Sequence, residues 1–156
     1  MEIAENRAMK RVQDSETTQI QVVNQSHLNG YHRVFGGQLM SWMDIVAAVV
    51  ARRHSGRNVT TVRVEDLEFT APAYANDTLV ITGHICYVGS SSMIVAVRAY
   101  VEALDGSRRM TNQARFVMVA LDENEKPTTV PGLLLETEAQ RQEWAEAEEL
   151  RRGWKK

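Results

Sequence analysis

At 156 residues the chain is long enough for one domain that buries roughly two thirds of its unfolded surface. Its hydrophobic content of 44% and charged content of 24% are ordinary for a globular protein, and its formal charge of −2 argues against bulk binding to nucleic acid or an anionic membrane. The lone cysteine, Cys86, excludes an intramolecular disulfide, a zinc cluster and a redox pair, which fits a reducing cytoplasm.

In chain order, residues 1–14 are expected to be loosely held. The stretch from Met1 to Glu5 is acidic and has no apolar core, so it does not read as a signal peptide. Residues 15–23 alternate weakly and are rich in Thr and Val, which predicts an edge-type first strand. A loop rich in Asn, His and Gly covers 24–35. A long apolar helix follows over about 36–54, with Arg52, Arg53 and His54 placed against its negative end and Ser55-Gly56 as a stop. Its longest apolar run, Ile45 to Ala51, is far short of a membrane span.

The remainder reads mostly as strand. Val59 to Phe69 alternates with a slip in phase: Val62 and Val64 point one way, Leu67 and Phe69 the other, which a bulge near Glu65-Asp66 would produce. Residues 79–88 are apolar on both faces, and Met93, Val95, Val97, Ala99 and Val101 make one apolar face. Asp105-Gly106 marks a hairpin before a last strand over 110–121. Thr137-Glu138-Ala139-Gln140 fits a capping box, so a polar C-terminal helix is expected within 137–152. One buried helix with one strand before it and four antiparallel strands after it is an α+β pattern in a single domain over 1–156.

The most informative stretch is Phe35-Gly36-Gly37 with Met43-Asp44 on the same helix. Residues three, four and seven positions from Asp44 share its face: Gly37, Met40, Ser41, Ala47, Ala48 and Ala51, nearly all small. A carboxylate on an apolar helix costs several kcal/mol unless it is paired or useful. The residues alone leave two readings open, a working acid or a charge satisfied by a partner or by solvent.

These residues resemble the hotdog-fold acyl-CoA thioesterases, in the cytosolic acyl-CoA hydrolase branch. The matching stretches are Val34-Phe35-Gly36-Gly37 with Met43-Asp44, Ala51-Arg52-Arg53-His54, residues 58–69, Tyr87-Val88-Gly89 with Ser92-Met93, and Phe116 to Leu121. The resemblance spans about 20–152. It implies a five-stranded antiparallel sheet wrapped around one long helix. It implies homodimers that join sheets edge to edge and assemble into a hexamer, with each active site shared by two helices. It implies hydrolysis of an acyl-CoA thioester to free acid and CoA in the cytoplasm, with no metal or other cofactor.

On this resemblance Asp44 matches the catalytic acid, as general base or nucleophile. Gly37 matches the helix-start residue whose backbone N–H polarises the thioester oxygen, with Gly36 beside it. Asn29 and His32 in the preceding loop, Thr60 on the first long strand, and the Ser91-Ser92-Met93 strand edge are the expected substrate contacts. Arg53, His54 and Arg57 are the expected partners of the CoA phosphates, with Arg108-Arg109 or Arg151-Arg152 as alternatives. Two other functions compete on the same fold. A non-catalytic acyl-CoA sensor would carry a basic helix-turn-helix, which is absent before residue 15, and would not require Asp44. A thioester dehydratase or isomerase wants a His at the helix start, where this chain has Phe35-Gly36-Gly37.

Overall fold

The computed structural model describes residues 7–155, so the expectation for residues 1–6 lies outside the described residues. Helix α1, Gly36–Ser55, is the centre of the fold. It ends where Gly56 adopts a left-handed conformation (φ 68°) and donates its N–H to the Arg52 carbonyl at 2.8 Å. The strands are β1 (Met9–Arg11), β2 (Thr17–Val22), β3 (Asn58–Phe69), β4 (Thr78–Val88), β5 (Ser92–Glu102), β6 (Arg108–Leu121) and β7 (Gly132–Leu134). A polar helix α2, Glu138–Arg152, follows.

Five strands form one antiparallel sheet in the order β2-β4-β5-β6-β3, and α1 lies across its concave face. The sheet is built from the alternation seen in the sequence. Met93, Val95 and Val97 of β5 and Ala114, Phe116 and Met118 of β6 point inward, where they meet Met43, Val46, Ala47, Val50 and Ala51 of α1. Each such side chain, fully buried, contributes roughly 1.5–3 kcal/mol. The helix sits closest to the sheet at Gly83 on β4. A Cβ there would lie 2.7 Å from Val46 Cγ1 and 3.2 Å from Val50 Cγ2.

The bulge expected in β3 is present: the register shifts between Glu65 and Glu68, and Asp66 takes φ 55°. The small parallel pair β1–β7 was not legible as strand, because each is only three residues long. The α2 cap is half of the expected box. Thr137 Oγ1 accepts from Gln140 N at 3.1 Å, but the Gln140 side chain accepts from Glu136 N rather than from Thr137. Helix α2 and the 3-10 turn after it cover part of the convex face through Trp144, Ala147 and Trp154, packed on Cys86, Tyr87, Ile94 and Val117. The Cys86 thiol is buried, and burial pushes its pKa up to about 12. No helix among the described residues is long and apolar enough to cross a membrane.

What the sheet does not cover is as informative as what it does. Ile45 on α1 is 50% exposed, and Val62 and Phe69 on the outer edge strand β3 are 56% and 54% exposed.

The close approach at Gly83 makes a sharp stability test. Gly83→Val should lift α1 off β4 and destabilise the fold by about 1–3 kcal/mol, the usual cost of overpacking. Urea unfolding followed by circular dichroism reads this, and an unchanged midpoint would show that the helix is not seated there.

Candidate active site

Asp44 lies on the side of α1 turned away from the deepest core and is half-buried. The hydroxyl of Thr61, on β3, donates to its Oδ1 at 2.7 Å and also lies 3.3 Å from Met118 Sδ. The strand thus reaches under the helix and sets the direction of the carboxylate. The small-residue face around Asp44 divides in two. Ala47 and Ala51 are packed into the core, whereas Gly37 and Ser41 are exposed and Met40 and Ala48 half-buried. The free strip therefore runs along 37, 41, 44 and 48.

Gly36 and Gly37 open the helix after Phe35. The first backbone hydrogen bonds of α1 are donated by Gln38 and Leu39 to the Phe35 carbonyl, at 3.0 and 3.1 Å. The N–H groups of Gly36 and Gly37 precede that ladder and point out of the helix start. A Cβ on Gly37 would lie 2.6 Å from the exposed Phe35 ring, so a side chain there has to turn that ring aside. Seven residues of helix place Gly37 and Asp44 about 10 Å apart along the axis. A donor must lie about 3 Å from a developing oxyanion, so one chain's pair cannot flank one carbonyl.

The loop before the helix is closed on itself. Asn29 Oδ1 accepts from Tyr31 N at 2.9 Å and Arg33 N at 3.3 Å, and Asn29 N donates to the Arg33 carbonyl at 2.7 Å. His32, at φ 62°, is exposed at the turn. His27 stands edge-on to Trp42, with ring centroids 4.8 Å apart.

Several expected contacts lie elsewhere. Thr60 is exposed and, being next to Thr61 on a strand, points the opposite way; Thr61 is the residue that reaches Asp44. The signal was in the strand parity: Thr61 shares a face with Val59, which packs against the core, and pairs with inward-pointing Met118, whereas Thr60 pairs with Val119 on the other face. Met93 is fully buried in the core. The Ser91 carbonyl accepts from Ala120 N at 3.0 Å and the Ser92 carbonyl from Gly89 N at 2.8 Å, so this edge is used within the chain. The Arg53 guanidinium donates to the Glu16 carbonyl at 2.8 Å and to Thr17 Oγ1 at 3.0 Å, tying the end of α1 to β2. Arg57 is exposed and 3.5 Å from Glu123. His54 is fully buried, its Nε2 donating to the Pro131 carbonyl at 2.8 Å. Of the alternatives, Arg108 pairs with Glu102, Arg109 with the Pro72 carbonyl, Arg151 with the Tyr87 hydroxyl and Arg152 with Glu149.

A helix wrapped by an antiparallel sheet, with glycine amides at its start and an acid two turns inside, defines the hotdog-fold thioesterases. A Thioesterase superfamily profile matches residues 31–105. An uncharacterized acyl-CoA thioester hydrolase of Bacillus subtilis, YkhA, is 33% identical over 139 residues, covering 88% of this chain and 79% of that protein. A hexameric acyl-CoA thioesterase superposes with a TM-score of 0.90 at 29% identity over 94% of each chain. An acyl-CoA hydrolase from Staphylococcus aureus, solved with butyryl-CoA and CoA, superposes with a TM-score of 0.85 at 28% identity over 92% of each chain. The same hydrolase has been solved as separate alanine variants of an asparagine, an aspartate and a threonine, at the same intervals along its chain as Asn29, Asp44 and Thr61 here. The chain belongs to the hotdog thioesterase superfamily, in its acyl-CoA thioester hydrolase family.

The buried His54 gives a pH test. Burial is the largest influence and holds its pKa below the ordinary histidine value, with the Pro131 bond opposing. The unfolded chain therefore takes up this proton first as pH falls. The stability His54 lends is complete above about 6.5 and is lost as pH falls from there through the lower pKa of the folded state. His54→Gln keeps a donor for Pro131 and removes the titration. Its urea midpoint should fall less than wild type between pH 7.5 and 5.5, and parallel declines would contradict the assignment.

Proposed function

We propose that this chain hydrolyses acyl-CoA thioesters to the free acid and CoA, with Asp44 of one protomer and the Gly37 N–H of its partner acting on one carbonyl. The carrying observation is the Thr61-held carboxylate on the open strip of α1, too far from its own chain's helix start to share a substrate with it. Two copies of α1 running antiparallel would bring one Asp44 opposite the other's Gly37, and twofold symmetry would make two such sites. The uncovered Ile45 and the apolar outer edge of β3 supply the surface for that pairing. The assembly of dimers into a hexamer is supported by the hexameric neighbour.

In the reaction, the thioester oxygen accepts from the partner's helix-start amide, which stabilises the charge that develops there. Asp44 either removes a proton from the attacking water or attacks the carbonyl itself to give a mixed anhydride that water then opens. In both routes the C–S bond breaks and the CoA thiolate leaves. Thr61 fixes the carboxylate's orientation, and Asn29 holds the loop that leads into the helix start. Water and the thioester are the only reactants in this scheme, and neither metal nor cofactor enters it. We place the activity in the cytoplasm, in keeping with the single buried thiol.

Release of free CoA across a panel from acetyl- to palmitoyl-CoA tests the reading. Asp44→Asn should lower kcat at least ~100-fold in a folded protein. Thr61→Val should lower it roughly tenfold, the loss of one hydrogen bond to a charged group. Near-wild-type turnover in folded Asp44→Asn would remove Asp44 from the chemistry.

A further inference from the structure

Resting on the hydrolase reading, we propose that Arg33 holds the phosphates of CoA from the hollow beside the start of α1. Among the described residues nearly every cation is already occupied. Arg7 donates to the Val130 carbonyl, Lys10 to the Arg53 carbonyl, and Arg53 to the Glu16 carbonyl. Arg57, Arg63, Arg98, Arg115 and Arg141 each face a carboxylate. Among the described residues the side chains of Arg33, Arg52 and Lys126 make no hydrogen bond or ion pair, and all three residues are exposed.

The surroundings of the three decide between them. Arg52 borders a hollow of 420 Å³ that also holds Arg57, Asp122 and Glu123, and Arg57 is already paired with Glu123. Lys126 sits in the same acidic turn, its N–H held by Asp122 Oδ1 at 3.0 Å. A phosphate there would meet like charge. The hollow beside Arg33 measures 310 Å³ and is lined by Asn29, Val34, Thr70, Pro72 and Ala73 among others, without a carboxylate. Arg33 is its one charged group.

The backbone of Arg33 is also fixed in advance. Its N–H and carbonyl both bond to Asn29, and the next residue, Val34, donates to the Ala73 carbonyl at 2.9 Å. Arg33 precedes Gly37 by four positions, so their Cα atoms are at most ~14 Å apart. A substrate whose carbonyl rests on the helix start can leave past this loop with its phosphates at the guanidinium. A guanidinium grips phosphate through two parallel hydrogen bonds.

The test compares hexanoyl-CoA with hexanoyl-pantetheine, which lacks the nucleotide, on the full-length protein. Arg33→Gln should raise KM for hexanoyl-CoA about tenfold, the weight of a charge-assisted bond to phosphate, with kcat held. KM for hexanoyl-pantetheine should not move, and the difference between substrates should shrink with added salt. Lys126→Gln should behave as wild type on both. An unchanged KM for hexanoyl-CoA in Arg33→Gln, equal losses on both substrates, or a larger effect from Lys126→Gln would each overturn the assignment. Calorimetric titration with CoA separates this from the hydrolase reading. If wild type binds CoA about tenfold tighter than Arg33→Gln yet releases no CoA from any thioester, Arg33 stands and the hydrolase reading falls. If wild type hydrolyses acyl-CoA and the variant binds CoA as tightly, Arg33 falls alone.

Discussion

Asp44 follows Gly37 by seven positions on the α-helix, and the rise of the helix turns that interval into about 10 Å. The two groups have complementary chemistry, an amide donor and a carboxylate, on one open strip of one helix. They cannot reach one thioester from the same chain. Much else follows from this separation. On the shared-site proposal, the strip has to face a second molecule, the helix has to be held rigidly enough to present it, and the side of α1 away from the core has to stay uncovered in the protomer.

The sheet meets the second requirement. It grips α1 through the inward faces of β4, β5 and β6, and most tightly where Gly83 lets Val46 and Val50 settle onto the strand. Edge strand β3 then adds a polar contact that the core does not provide, the Thr61 hydroxyl on Asp44. The same strand leaves Val62 and Phe69 facing outward. Thus one element both orients the acid and carries exposed apolar side chains.

Much of this was legible in the residues. The helix, the five principal strands and the bulge in β3 follow from periodicity, from Gly56 as a stop and from the phase slip around Asp66. The acid and the glycine pair stood out because a carboxylate is costly on an apolar helix. What was not legible depends on partners distant in sequence. The basic run at the end of α1 looks like an anion site, yet Arg53 spends its donors on Glu16 and Thr17, and His54 is drawn into the core by the Pro131 carbonyl. Backbone carbonyls leave no mark in a sequence pattern. Thr61 was missed by one position, although its spacing of two from Val59 already placed it on the inward face.

The sharing of one site between two protomers is most directly tested by mixing two inactive chains. Asp44→Ala removes the acid. Gly37→Pro removes the amide donor within the first helical turn, where proline is tolerated. Each variant alone should be inactive. Unfolded and refolded together, half of the dimers should be mixed, each with one intact site, so activity should return to about one quarter of wild type. No recovery in a mixture shown to contain mixed dimers would mean that both groups act within a single chain.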